Sequence, residues 1–156
     1  MISGFEQTHP LEPAQKNRIQ WGAAVGAGLL TGIIFLLVPR GTPWSALTFF
    51  SPVVLGRNVG SLGVAPAAAW GIHMVLSVIY GLIISRVVAG LKQTRAIITG
   101  GLLGLVLYII NFVLVSLWWP SLRGNEISVV FTHLIFGLVA AGAYRGLLKR
   151  ASEPAV

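Results

Sequence analysis

Two of the three histidines, His73 and His133, lie inside strongly apolar stretches of the sequence. A row of small residues at four-residue spacing follows each of them, Ser77 and Gly81 after the first and Gly137 and Ala141 after the second. Residues four apart share one face of a helix, so both imidazoles should face the interior of a helical bundle. The same reasoning predicts that the two imidazoles approach one another.

Three kinds of chemistry are open to such a pair. Two interior histidines from two helices are the minimum ligand set for a b-type haem, and small residues beside them would leave room for a porphyrin. A proton or metal site is the second alternative, because ionisable residues in an apolar environment are costly and often functional. The third is a structural hydrogen bond from each imidazole to a carbonyl or hydroxyl group across the bundle.

Further polar side chains in the apolar stretches are those of Tyr80, Tyr108 and Asn111. Tyr108 and Asn111 are three residues apart and therefore share a helix face. Together with His73 and Tyr80 they predict a polar seam, suited to proton conduction or to binding a quinone headgroup. The alternative is a set of structural hydrogen bonds between helices, worth about 0.6 kcal/mol each.

Catalysis of the kind that soluble enzymes perform has little support. The chain contains no cysteine and no aspartate, so disulfides, cysteinyl zinc sites, iron–sulfur clusters and thiol catalysis are excluded. Neither an HExxH motif nor a P-loop is present, and the glycine-rich stretches lie within apolar segments. We therefore expect neither enzymatic activity nor a resident metal ion.

Membrane-spanning helices are the elements that must position these residues. Hydrophobic residues make up 55% of the 156 and charged residues only 10%, against about 25% charged in soluble domains. Crossing a hydrocarbon core about 30 Å thick takes about 20 apolar residues. Four stretches approach that length: Gln20 to Pro39, Ala69 to Val88, Ala96 to Trp119 and Ser128 to Leu148. The predicted fold class is an all-α, polytopic membrane protein, a bundle of four transmembrane helices.

The distribution of basic residues predicts the orientation of these spans. Most Lys and Arg residues fall on one side, namely Lys16, Arg18, Arg86, Lys92, Arg95, Arg145, Lys149 and Arg150. The other side has Arg40, Arg57 and Arg123. Excess Lys and Arg marks the cytoplasmic side, which predicts that both termini lie in the cytoplasm. The net charge of +7 would face anionic lipid headgroups, so no nucleic-acid partner is expected.

The predicted organisation is a cytoplasmic tail at 1–19, a transmembrane domain at 20–150 and a second cytoplasmic tail at 151–156. Within the domain, the outer loop at 41–64 contains the apolar run WSALTFFSPVVL, broken by Pro52. This run is too short to span a membrane, so we expect an interfacial or re-entrant segment.

Pairs of glycines four residues apart recur along the spans: Gly22 with Gly26, Gly28 with Gly32 and Gly100 with Gly104. Such pairs let a neighbouring helix backbone approach closely, either within the bundle or in an oligomer. The halves of the chain also resemble each other, with an offset of 72 residues between the first and third spans and of 60 between the second and fourth. This pattern predicts a parallel two-helix repeat, unless the small residues recur for packing reasons alone.

The segments HMVLSVIYG, YIIN and HLIFG resemble small four-span bacterial inner-membrane proteins of uncharacterised function, of the YagU-like kind. The resemblance covers about half of the chain and carries over no functional residue. We predict an accessory or structural subunit of a larger membrane complex, without catalysis of its own. Its expected partners are the lipid bilayer and other membrane subunits or a second copy. The alternatives are a component for ion, proton or small-solute transport and a b-haem-binding electron-transfer subunit.

Overall fold

A computed structural model describes residues 19–37, 64–118, 120 and 126–151 of the chain. Within them the protein is all-helical, with no strand. The helices are α1 (Trp21–Leu37), α2 (Val64–Val88), α3 (Gln93–Trp118) and α4 (Glu126–Ala151). Apart from their end residues, the predicted tails at 1–19 and 151–156 and the loop at 41–64 lie outside the described part.

Three of these helices, α2, α3 and α4, are long and apolar enough to cross a membrane, and α1 is a shorter apolar helix of 17 residues. The predicted all-α membrane protein is thereby confirmed. Three helices extend beyond the predicted apolar stretches, α2 and α3 at their starts and α4 at both ends, whereas α1 lies within its stretch. Backbone N–H and C=O groups near a bilayer need partners, so a helix continues past the last apolar residue.

The helices pack as two antiparallel hairpins, α1 with α2 and α3 with α4. A four-residue turn separates α2 from α3, and within it Leu91 N donates to Val88 O over 3.0 Å. Both α1 and α2 also contact α4, and α2 contacts α3, whereas α1 and α3 do not meet in the described ranges. The second helix of each hairpin, α2 and α4, therefore lies at the centre.

Side-chain size in this bundle is distributed as expected for a protein surrounded by lipid. The buried core is dominated by small residues, among them Ala24, Ala27, Ala96, Ala140 and Ala141. Large aliphatic side chains cover the outside, with Leu117 70% and Ile127 72% exposed. Lipid solvates leucine as well as a protein core does, so helices associate through close contacts between small residues.

Glycines make the closest of these contacts. A Cβ placed on Gly28 would lie 2.8 Å from the Ser77 carbonyl oxygen, and one on Gly100 would lie 2.5 Å from that of Gly137. The two contacts are related by the offsets of 72 and 60 residues noted in the sequence. Two further pairs of contacts follow the same relation. Gly32 against Ser77 corresponds to Gly104 against Gly137, and Gly81 against Gly28 corresponds to Ala141 against Gly100. The two hairpins thus pack at equivalent positions, as a parallel repeat requires.

The two ends of the bundle differ in charge. One end carries the start of α1, the turn between α2 and α3, and the end of α4. Its described basic residues are Arg86, Lys92, Arg95, Arg145, Lys149 and Arg150, and we call it the basic end. The opposite end carries the start of α4 with its first residue, Glu126, and we call it the Glu126 end.

Candidate functional site

A chain of hydrogen bonds links three helices in the half of the bundle nearer the Glu126 end. The Tyr80 hydroxyl on α2 donates to Asn111 Oδ1 on α3 over 2.5 Å. Asn111 Nδ2 lies 2.9 Å from His133 Nε2 on α4. His133 Nδ1 lies 2.9 Å from the Val129 carbonyl oxygen. We call this arrangement the Tyr80–Asn111–His133 chain.

The donors and acceptors in this chain determine the form of the imidazole. An amide nitrogen only donates, so His133 Nε2 must accept from Asn111. A carbonyl oxygen only accepts, so His133 Nδ1 must carry the hydrogen that bonds Val129. The network therefore assigns to His133 the neutral imidazole protonated on Nδ1.

Close helix packing places the His133 side chain within reach of α3. A Cβ on Gly104 would collide with the His133 carbonyl group, so only glycine allows α3 and α4 to approach so closely here. Asn111 lies seven residues, about two turns, further along α3 on the same face as Gly104. The imidazole of His133 leans toward the start of α4, as helical side chains do, and so reaches Asn111 rather than Gly104.

Aromatic rings enclose this polar cluster. The Tyr108 ring stands edge-on to the imidazole of His133, with ring centroids 5.8 Å apart, and the Tyr108 hydroxyl donates to Glu126 Oε2 over 3.0 Å. Polar contact thus extends to the Glu126 end. Toward the basic end, Phe136 packs against the Tyr80 ring at 6.1 Å and against Phe35 at 5.6 Å. The cluster is bounded by apolar rings on that side.

His73 has a different hydrogen-bond partner. Its Nε2 donates to the Gly32 carbonyl oxygen on α1, 3.1 Å away. Tyr80, whose ring centroid lies 6.5 Å from that of His133, is seven residues or about 10 Å further along α2 than His73. The structure thus joins Tyr80, Asn111 and His133 in one chain and bonds His73 to α1. Proximity of the two imidazoles stays a prediction.

The residues present do not fit the b-type haem considered from the sequence. Iron would need a free ring nitrogen on each histidine, but both nitrogens of His133 are hydrogen-bonded and His73 Nε2 bonds Gly32. The small residues that were expected to leave room for a porphyrin are in contact with neighbouring helix backbones instead. Among the described residues, no group of three or more His, Cys, Asp or Glu side chains is arranged to hold a metal ion.

The predicted packing glycines divide into two sets. At the glycines of the hairpin contacts, backbone or side-chain atoms of the neighbouring helix occupy the position that a Cβ would take. These are Gly28, Gly32, Gly81, Gly100, Gly104 and Gly137. The pair on the first turns of α1 differs, since Gly26 meets only the flexible end of Leu147 at 3.2 Å and Gly22 has no atom within 4 Å. Gly22 therefore does not make the close packing contact expected of it with any described residue.

Sequence reasoning missed a continuous face of α4. Its members are Ser128, Thr132, Ile135, Val139, Gly142 and Gly146. They are four, three, four, three and four residues apart, the spacing of a helix seam. In the half nearer the Glu126 end, this face and Ile34 and Phe35 of α1 line an open groove of about 420 Å³. We call these six residues the α4 face, and their spacing is a signal that the sequence itself contains.

No protein-family model, curated protein or solved structure matches this chain. The resemblance to the YagU-like proteins stays a prediction.

Proposed function

We propose that the protein is an accessory subunit of a larger membrane complex, without catalysis of its own, and that it binds a transmembrane helix of another subunit along the α4 face. The observation that carries this proposal is the contrast between two sets of glycines. Neighbouring helices occupy the position that a Cβ would take on the interior glycines, whereas no atom of the described residues lies within 4 Å of that position on Gly142 and Gly146.

The length of the α4 face indicates what kind of segment binds there. From Ser128 to Gly146 it rises about 27 Å, at 1.5 Å per residue. That length nearly matches a hydrocarbon core about 30 Å thick, so the segment that covers it is a transmembrane helix rather than a loop. The alternating spacing of three and four residues suits the left-handed crossing most common between transmembrane helices.

The two halves of the α4 face would receive such a helix in different ways. Near the Glu126 end, the groove of about 420 Å³ between α1 and α4 has room for large side chains. Near the basic end, Gly142 and Gly146 leave the α4 backbone open to close approach. Packing of backbone against backbone is what holds the hairpins of this bundle together, and the same contact would hold a partner.

We further propose that the protein lies in a bacterial inner membrane with its basic end in the cytoplasm. Six Lys and Arg side chains at that end, with no acidic residue among those described there, support this orientation. They would also bind anionic lipid headgroups, each contributing about 1 kcal/mol. Both chain termini would then be cytoplasmic.

Leucine substitutions on the α4 face test the accessory role. We expect the wild-type chain, purified from native membranes in mild detergent, to carry a stoichiometric partner or a second copy. The double variant with Gly142→Leu and Gly146→Leu should lose that partner and keep its thermal stability. The matched control is Gly71→Leu on α2, where a Cβ also meets nothing within 4 Å and association should be unchanged.

The result of this experiment identifies what covers the α4 face. A different polypeptide in the complex supports the proposal. A homodimer would mean that a second copy of this chain, rather than another subunit, covers the α4 face. A monomer without partner, or a double variant that associates as well as the wild type, refutes it. Lipid alone would then cover the α4 face.

A second candidate function is a component for proton transport, favoured by the Tyr80–Asn111–His133 chain and the Tyr108–Glu126 bond at its end. Histidine and carboxylate side chains within a membrane are the groups that form proton relays. Reconstituted vesicles with a pH gradient test it. Flux that His133→Gln abolishes and His73→Gln preserves would support transport, and absence of flux at any gradient would dispose of it.

A further inference from the structure

The Tyr80–Asn111–His133 chain has a direction. Each group donates to the next, from the Tyr80 hydroxyl through the Asn111 amide to His133, whose Nδ1 hydrogen bonds Val129. This direction depends on His133 being neutral, because only then does its Nε2 accept from Asn111. The protonation state of His133 and the orientations of the Asn111 amide and the Tyr80 hydroxyl are therefore coupled.

We propose that His133 is a proton-binding site and that its occupation reverses the direction of this chain. Addition of one proton to His133 Nε2 leaves both ring nitrogens as donors, so the Asn111 amide nitrogen has no acceptor there. Asn111 then turns by about 180° about its last side-chain bond and presents Oδ1 to His133 and Nδ2 to Tyr80. The Tyr80 hydroxyl changes from donor to acceptor. Within the protein, no covalent bond other than the new N–H forms or breaks.

Aromatic and titratable groups from neighbouring helices face His133. From α3, the Tyr108 ring lies 5.8 Å away in a T-shaped arrangement, and the hydroxyl of that ring bonds Glu126. From α2, the facing titratable group is Tyr80, at 6.5 Å between ring centroids. From α1, the nearest described contact is Phe35, which reaches the cluster through Phe136 and carries no charge. From α4 itself, Glu126 contributes a carboxyl group, which accepts a hydrogen bond from the Tyr108 hydroxyl.

The internal repeat contains a matched control. His73 is equivalent to His133, but residues 39 and 140, the equivalents of Asn111 and Tyr80, are proline and alanine. His73 Nε2 bonds the Gly32 carbonyl, which accepts a hydrogen bond from either the neutral or the protonated imidazole. Protonation of His73 therefore leaves this bond in place. Among the hydrogen bonds described for these two histidines, the bond between Asn111 and His133 is therefore the one that requires a partner to turn.

Nitrogen-15 NMR of the full chain in lipid nanodiscs, labelled at histidine and asparagine side chains, tests the proposal. At high pH we expect His133 to be protonated on Nδ1 only. On acidification Nε2 should gain a proton, and the Asn111 amide signals should shift with the same midpoint. Tyr80→Phe should keep this coupling, because Asn111 must turn in either case. His73→Gln, which removes the equivalent histidine, should leave the midpoint unchanged.

Two outcomes overturn the inference. In one, His133 remains neutral throughout the pH range in which the protein stays folded. In the other, His133 gains its proton while the Asn111 signals stay constant. The measurement rests on the same cluster as the proposed proton transport but reads hydrogen bonds rather than flux. If the hydrogen-bond chain reverses but no proton flux is measured, the proton site at His133 is supported and the proposed proton transport is refuted.

Discussion

An alanine at position 28 tests whether contact between helix backbones holds this bundle together. A Cβ added to Gly28 would lie 2.7 Å from Val78 Cα and 2.8 Å from the Ser77 carbonyl oxygen. Both are backbone atoms, so no side-chain rotation relieves the overlap. Ordinary contact begins at 3.4 Å, and 3.4 minus 2.7 leaves roughly 0.7 Å by which α1 and α2 must separate. Every other contact along this hairpin loosens with that movement.

The expected magnitude follows from two opposing terms. Overpacking of this kind costs about 1–3 kcal/mol, while alanine favours helix over glycine by about 1 kcal/mol. The control Gly142→Ala gains the same helix preference without overlap, because no atom of the described residues lies within 4 Å of its Cβ. The difference between the free energies of unfolding of the two variants therefore no longer contains the helix preference. Gly28→Ala should therefore be less stable than Gly142→Ala by about 1–3 kcal/mol.

Reversible unfolding in mixtures of mild and denaturing detergent, followed by tryptophan fluorescence, measures this difference in the free energy of unfolding. Gly100→Ala, at the equivalent position of the second hairpin, should be destabilised to a similar degree, since its Cβ would meet Gly137 O at 2.5 Å. Equal stability of the Gly28→Ala and Gly142→Ala variants would show that backbone contact contributes nothing measurable, and the packing argument would fail.

Three further predictions concern the hydrogen-bond chain, the aromatic contacts and the orientation in the membrane. Asn111→Leu should lower the free energy of unfolding by about 1.2 kcal/mol and Tyr80→Phe by about half of that. The reason is that Asn111→Leu breaks two interhelical hydrogen bonds, whereas Tyr80→Phe breaks one. Equal losses in detergent unfolding would contradict the hydrogen-bond chain. Phe136→Ala should cost less than the about 3–5 kcal/mol typical of soluble cores, because lipid also solvates the unpacked ring, and a larger loss would contradict a membrane environment. In this cysteine-free chain, Lys92→Cys and Arg123→Cys should react with an impermeant thiol reagent from opposite sides of the membrane, and labelling from the same side would overturn the predicted orientation.

The class of protein was predictable from the sequence because it depends on local properties. Apolar segments long enough to cross a bilayer have to be helical, since their backbone groups find no other partners there. Three of the four predicted spans correspond to helices of spanning length and the fourth to the shorter α1. Spacing alone also singled out the glycines of both hairpins, because residues four apart share a helix face wherever the helix lies.

Which faces meet was decided by the tertiary structure. The sequence predicted that His73 and His133 face one shared interior, and the register of the hairpins decides their partners, which are Gly32 for the first and Asn111 for the second. Hydrogen bonds between side chains depend on the angular setting of three helices at once, which no single segment contains. The contrast between Gly28, buried against α2, and Gly142, open on α4, arises in the same way, because identical residues acquire different roles only when a neighbouring helix covers one of them.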